Sequence, residues 1–137
     1  MAYSNLYARF VSWRQSVALA FSLIWRFRPN RLYFISIASL QALAWWQAAR
    51  VWRLVGENPL VLHYKVNFGI DKVGDPIQVF WLPAYALIIT AINLIILSWV
   101  SRLESFKPLS HLLLGAASLF ALLVNLALVS VYLINFR

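Results

Sequence analysis

Cysteine is absent from this chain of 137 residues, and acidic side chains are scarce: four, against twelve lysines and arginines. The first absence excludes disulfides, thiolate metal sites and cysteine nucleophiles. The second removes most of the carboxylates that acid–base or nucleophilic catalysis would need to bring together. Only two histidines accompany those four acids, and none of the six reads as intramembrane. No catalytic residues are expected, and the chain is not expected to be an enzyme. Charge of either sign is also missing from two long stretches. Ile77 to Val100 contains no Asp, Glu, Lys, Arg or His, and of these Pro108 to Phe136 carries only His111 near its start. Each is long enough to cross the hydrocarbon core of a bilayer.

The residues that are present agree with a membrane setting. Hydrophobic residues make up 63% of the chain and charged ones 12%, outside the range of ordinary soluble domains. Backbone polar groups cannot be solvated in lipid, so the expected class is an all-α membrane protein. The net charge of +8 sits at the ends of the apolar runs. That placement suits anionic lipid headgroups and argues against nucleic acid as a partner.

Residues 1–31 form the first expected unit. Leu6, Phe10, Trp13, Val17, Phe21 and Ile24 recur at helical spacing, opposite Asn5, Arg9, Ser12, Ser16 and Ser22. Arg14 lies near the border, where its stem rests along lipid while its head reaches water. The uncharged part, Gln15 to Trp25, is too short to span. A basic amphipathic interfacial helix is therefore the better reading than a tilted span. Arg9, Arg14, Arg26, Arg28 and Arg31 are its expected headgroup contacts. The segment ends in Trp-Arg-Phe-Arg-Pro rather than in a small-residue cleavage site, which argues against a signal peptide.

Residues 32–137 form the second unit, a domain of three transmembrane helices. Pro29 interrupts the chain, Asn30 is placed to cap the next helix, and Leu32 to Ala49 reads as the first span. An outer loop occupies roughly residues 54–76. Within it Leu62, Tyr64, Val66 and Phe68 alternate with His63, Lys65 and Asn67, which suggests an extended piece. Turn residues Gly69, Asp71, Gly74, Asp75 and Pro76 end it. Ser110 is a candidate cap for the third span. A three-span topology puts seven of the twelve cations (Arg9, Arg14, Arg26, Arg28, Arg31, Arg102 and Lys107) on one side. The positive-inside rule then favours a cytoplasmic N-terminus, with the long loop and the C-terminus outside.

Threading these spans through one bilayer at about 1.5 Å per residue sorts their polar side chains into layers. Gln41, Asn93 and Ser118 fall at one depth, and Gln47, Tyr85 and Asn125 at another. Amides in hydrocarbon usually face one another or a neighbouring subunit, so these are expected to be helix-packing groups. Small residues at Ala38, Ala42, Gly115 and Ala116 offer close helix approach. In the outer loop His63, Asp71 and Asp75, with Asn67 and Glu57, are the conceivable metal ligands. Their spacing matches neither a zinc nor a calcium site, so no metal is expected. Seven Trp, nine Phe and six Tyr concentrate at span ends, as aromatic belts do. No cofactor is expected of the chain alone; a pigment, quinone or lipid shared with partner subunits stays open.

The stretch from Asn58 to Asn93 carries Pro59, His63, Tyr64, Gly69, Asp71, Gly74, Leu82 and Pro83 in sequence. This pattern resembles a domain of unknown function in bacterial integral membrane proteins, including those of the SdpI type linked to toxin immunity. The resemblance covers about a quarter of the chain. It implies a bacterial plasma-membrane protein with an outward-facing loop; His63, Tyr64, Asp71 and Asp75 are the candidate contact residues of that loop. It implies no reaction. The leading expectation is a non-catalytic accessory or structural subunit of a larger membrane complex. A stand-alone binding or immunity-type protein comes second, and a homo-oligomeric channel element third.

Overall fold

The computed structural model describes residues 11, 14, 15, 18–56, 58–65 and 69–136, without the side chains of residues 62–65 and 69–72. Arg9 and the rest of the first ten residues, Glu57, Asn67 and Arg137 lie outside the described residues, so the first third of the expected amphipathic helix does too. Helices dominate the remainder. Residues 11, 14, 15 and 18–26 are the described helical residues of α1, succeeded after Phe27 by α2, Arg28–Val55. A β hairpin comes next, with β1 at Leu60–Lys65 and β2 at Gly69–Gly74. A 3-10 turn, Pro76–Phe80, leads into α3, Trp81–Val100, and five residues later α4 runs Phe106–Phe136.

The joints show why the chain turns where it does. Proline has no N–H to lose in a first helical turn, so Pro29 opens α2 instead of breaking it. Asn30 does not cap α2, as its position had suggested. Its side-chain amide turns back and donates to the Ile24 carbonyl at 3.0 Å, while Arg31 Nε donates to the Trp25 carbonyl at 2.9 Å. Both satisfy carbonyls that the end of α1 leaves without helical partners. At the other end α2 stops at Gly56, whose φ of 63° and ψ of −126° suit glycine alone. Asp75 Oδ1 accepts from Ile77 N at 2.9 Å and starts the 3-10 turn. Ser110 also plays a different part from the one expected. The fourth helix begins a turn earlier, and the Ser110 hydroxyl donates to the Lys107 carbonyl inside it at 2.8 Å.

The hairpin is antiparallel, from Leu60 opposite Gly74 to Lys65 opposite Gly69, with irregular register on either side of His63. The two-residue alternation in β1 is thus a real strand, and an otherwise helical domain carries one β element.

α4 is the central helix and packs against both α2 and α3. Its buried positions Leu114, Ala117, Ala121, Val124, Leu128 and Val131 alternate steps of three and four, the seam of a left-handed helix pair. α2 answers with Ile37, Ala44, Ala48, Val51 and Val55. The buried alanines are therefore Ala44 and Ala48 on α2 and Ala117 and Ala121 on α4. Ala38, Ala42 and Ala116 are exposed instead, and Gly115 abuts the Tyr33 ring. One core cluster joins the end of α2 to the starts of the hairpin and 3-10 turn and to the end of α4. A second, at the opposite end, gathers Ile24, Ile37, Leu97, Leu114 and Ala117. α3 accordingly runs against the direction of its two neighbours.

Two segments are long and apolar enough to cross a membrane. Pro76–Val100 has a mean hydropathy of 2.1 over its best window and Phe106–Phe136 has 2.5. Most of either window is not buried inside the protein. Large apolar side chains such as Leu87, Ile88, Ile92, Ile95 and Trp99 face outward along α3. Contiguous apolar surface on this scale marks contact with lipid or with other proteins.

Candidate functional site

The polar groups of the helices meet at the level where α2, α3 and α4 come closest to the hairpin end. Asn125, 5% exposed on α4, is the hub. Its Oδ1 accepts from Gln47 Nε2 at 3.0 Å. Its Nδ2 donates to the Leu40 carbonyl of α2 at 3.0 Å and to the Ala121 carbonyl of its own helix at 2.8 Å. Beside it Gln41 Nε2 donates to the Pro83 carbonyl of α3 at 2.7 Å. Three helices are thus laced by two glutamines and one asparagine. The Oε1 atoms of both glutamines are buried without a hydrogen-bond partner, as is Oδ1 of Asn30.

Gln47 and Asn125 are brought together, whereas the other layer members are placed apart. Asn93 donates to the Ile89 carbonyl at 3.0 Å and Ser118 to the Leu114 carbonyl at 2.9 Å, each within its own helix. Gln41 reaches Pro83 rather than either of them. The reason lies before α3: the 3-10 turn tucks Phe80 against Trp45 and Trp52 of α2, which draws the start of α3 down beside Gln41. Tyr85 is exposed and lies against the Trp81 ring at 6.0 Å, away from Gln47.

The hairpin is pinned by a residue outside the expected set. Asn135 Oδ1 accepts from Val61 N at 2.9 Å and its Nδ2 donates to the Val61 carbonyl at 2.9 Å. One side-chain amide thereby imitates a neighbouring strand. Its position, four residues after Val131 on the α4 seam, was the only available signal. Of the outer-loop candidates, Asp75 is the cap of the 3-10 turn. His63, Tyr64 and Asp71 lie on the strands, and their side chains fall outside the described part of the chain.

Two aromatic–cation groupings mark the ends of the bundle. At the hairpin end the Arg50 guanidinium lies 5.6 Å from the Trp46 ring and 5.2 Å from the Tyr132 ring, bridging α2 and α4. At the other end Arg31 lies 5.7 Å from the Trp25 ring. There Arg14, Arg26 and Arg28 are exposed, together with Arg102 and Lys107 of the α3–α4 loop. His111 sits among them, its Nδ1 3.3 Å from the Tyr33 hydroxyl and its ring edge-on to Phe27.

Among the described residues no three His, Asp or Glu side chains converge as a metal site would require. The polar groups that the described helices bring together are amides, aromatic faces and cations. No family model, curated protein or solved structure matches the chain.

Proposed function

We propose that this chain is a non-catalytic integral membrane protein, an accessory subunit that contributes three spans and an interfacial N-terminal helix to a larger membrane complex. One observation carries the reading. The side-chain amide donors along α2, α3 and α4, those of Asn30, Gln41, Gln47, Asn93, Asn125 and Asn135, all end on acceptors within the chain. Polar groups spent on holding helices together leave an outward surface of aliphatic and aromatic side chains, which is the surface a scaffold presents.

The third span in this proposal is α2. It is 28 residues long, about 42 Å, and Leu32 to Ala49 carries no charge. Its two glutamines point at α3 and α4, and Leu32, Ile35, Leu43, Trp45 and Trp46 face outward. The cation bias supports a bacterial plasma-membrane orientation with the N-terminus cytoplasmic and the C-terminus outside. The cysteine-free sequence allows a direct topology test with single cysteines. Ser22→Cys, before α2, and Val73→Cys, after it, should react with an impermeant maleimide from opposite faces. Labelling of both from one face would remove the span.

The subunit reading is tested by native purification in mild detergent with mass spectrometry of the proteins that travel with the chain. A defined partner set at fixed stoichiometry supports it. A lone monomer or homo-oligomer refutes it and directs attention to the hairpin, as the toxin-immunity resemblance would.

A further inference from the structure

A cleft of about 180 Å³ opens between α2 and α4 at the hairpin end of the bundle. Its floor is Val51, Leu128 and Val129; Trp46, Arg50 and Tyr132 form its rim, and Gln47 also lines it. Val51 and Leu128 belong to the core cluster, so the floor is a fixed surface, while Val129 is exposed along its side. The volume matches about six water-sized groups, enough for a short length of hydrocarbon chain.

The cation at the rim is held in place. Arg50 lies between a Trp ring of α2 and a Tyr ring of α4, at 5.6 and 5.2 Å. A guanidinium in cation–π contact with two rings keeps N–H donors to offer an acceptor. A planar donor fork above an apolar trough suits a molecule with an oxyanion on one end and hydrocarbon on the other. Its setting, at the end of two apolar helices beside the exposed Trp46 and Trp52, is where headgroups meet acyl chains.

We propose that this cleft is a binding site for an anionic phospholipid, whose phosphate is taken by Arg50 and whose acyl chain lies along Val51, Leu128 and Val129. The proposal rests on the membrane reading above. It differs from the diffuse attraction of Arg14, Arg26, Arg28 and Arg31 for headgroups, because here one lipid is held at one place by shape as well as charge. Bound there, the lipid would lengthen the contact between α2 and α4 beyond their own side chains.

The test is native mass spectrometry of the full chain in detergent, titrated separately with phosphatidylglycerol and phosphatidylcholine. The wild-type chain should retain one phosphatidylglycerol at a concentration about tenfold lower than phosphatidylcholine, whose choline cation offsets the phosphate charge that Arg50 meets. Arg50→Gln should abolish that preference. Val129→Trp, which fills the trough and leaves the cation, should weaken retention of both lipids. Arg53→Gln removes an equal charge from the neighbouring turn and should change neither. Circular dichroism confirms that each variant keeps its helices.

Preference that survives Arg50→Gln, or that falls equally with Arg53→Gln, overturns the site in favour of diffuse charge. Full displacement of the lipid by inorganic phosphate would make it a simple anion site and overturn the lipid assignment. Alkaline extraction of membranes is measured alongside. A chain released by alkali refutes the membrane reading itself, whereas one that stays in the membrane yet shows no lipid preference refutes this site alone.

Discussion

Replacing Asn125 by leucine should destabilise the bundle by about 2 kcal/mol, and replacing Gln47 as well should restore about half of that. Asn125 makes two interhelical hydrogen bonds, from Gln47 and to the Leu40 carbonyl. Hydrogen bonds between membrane helices average about 0.6 kcal/mol. The Leu40 and Ala121 carbonyls keep their places in the helical ladders and lose little. Gln47 is different. Its Oε1 is already buried without a partner, so losing Asn125 leaves the whole amide stranded. An orphaned buried amide costs about 1–3 kcal/mol, which brings the single substitution to about 2. Gln47→Leu alone strands only Asn125 Oδ1, at about 1 kcal/mol, because Asn125 Nδ2 keeps its two acceptors. Independent effects would sum to about 3 kcal/mol. The double variant strands nothing and should fall by only about 1, a coupling of about 2 kcal/mol. Reversible unfolding in mixed detergent micelles, monitored by the fluorescence of the seven tryptophans, measures all three variants. A double variant that falls by the full sum refutes the reasoning, since the two amides would then act separately.

Other consequences are open to simpler measurements. Leu97 is wholly buried between α1, α2 and α4, so Leu97→Ala should cost about 3 kcal/mol in the same assay, while Ile95→Ala, half exposed two residues away, should stay within about 0.5. Ile92→Arg places a charge on the outward face near the middle of α3, and should reduce membrane insertion by about 2.5–3.5 kcal/mol in a glycosylation-mapping assay. Full insertion of that variant would mean that the face meets water or protein. Asn135→Ala removes both bonds to Val61, worth about 2 kcal/mol, and should speed hydrogen exchange at Val61 about thirtyfold while α3 amides are unchanged. Equal exchange in variant and wild type would show that Leu60 burial alone seats the hairpin.

Much of the helix plan could be read from the chain because hydrocarbon demands long uncharged runs, and the stretches ending at Val100 and Phe136 meet that demand. The strand could be read because its alternation from Leu62 has a period of two. The Gln47–Asn125 pair came out of arithmetic, since both residues sit on helices threaded in the same direction. Gln41 escaped the same arithmetic because threading assumes that each span begins at the membrane edge. The packing of Phe80 on Trp45 and Trp52 shifts α3 along its axis, and nothing local to α3 records that shift. Asn135 escaped for a related reason: its partner is a backbone, and backbone acceptors leave no mark in a sequence. Asn30 shows the limit of local rules. Asparagine before a helix signals an N-cap, but once Pro29 had entered the first turn, its amide was better used on the carbonyls of the helix before it.

The difference between local and tertiary signals also bears on α2, which falls short of the hydropathy of the two apolar segments although its middle is uncharged. Its deficit comes from Gln41, Gln47 and the serines among aliphatic residues. Hydropathy averages over the whole circumference of a helix, whereas lipid meets only the outward part. Gln47 is opposite Asn125, Gln41 is opposite Pro83, and the outward positions include Leu32, Ile35 and Leu43. A helix of this composition inserted alone would carry two unpaired amides into hydrocarbon, at a cost that its apolar residues hardly offset. Beside α3 and α4 the amide donors are satisfied and that cost falls. The polarity that weakens α2 as an independent span is therefore the polarity that ties it to its neighbours, and any place α2 takes in a membrane would depend on theirs.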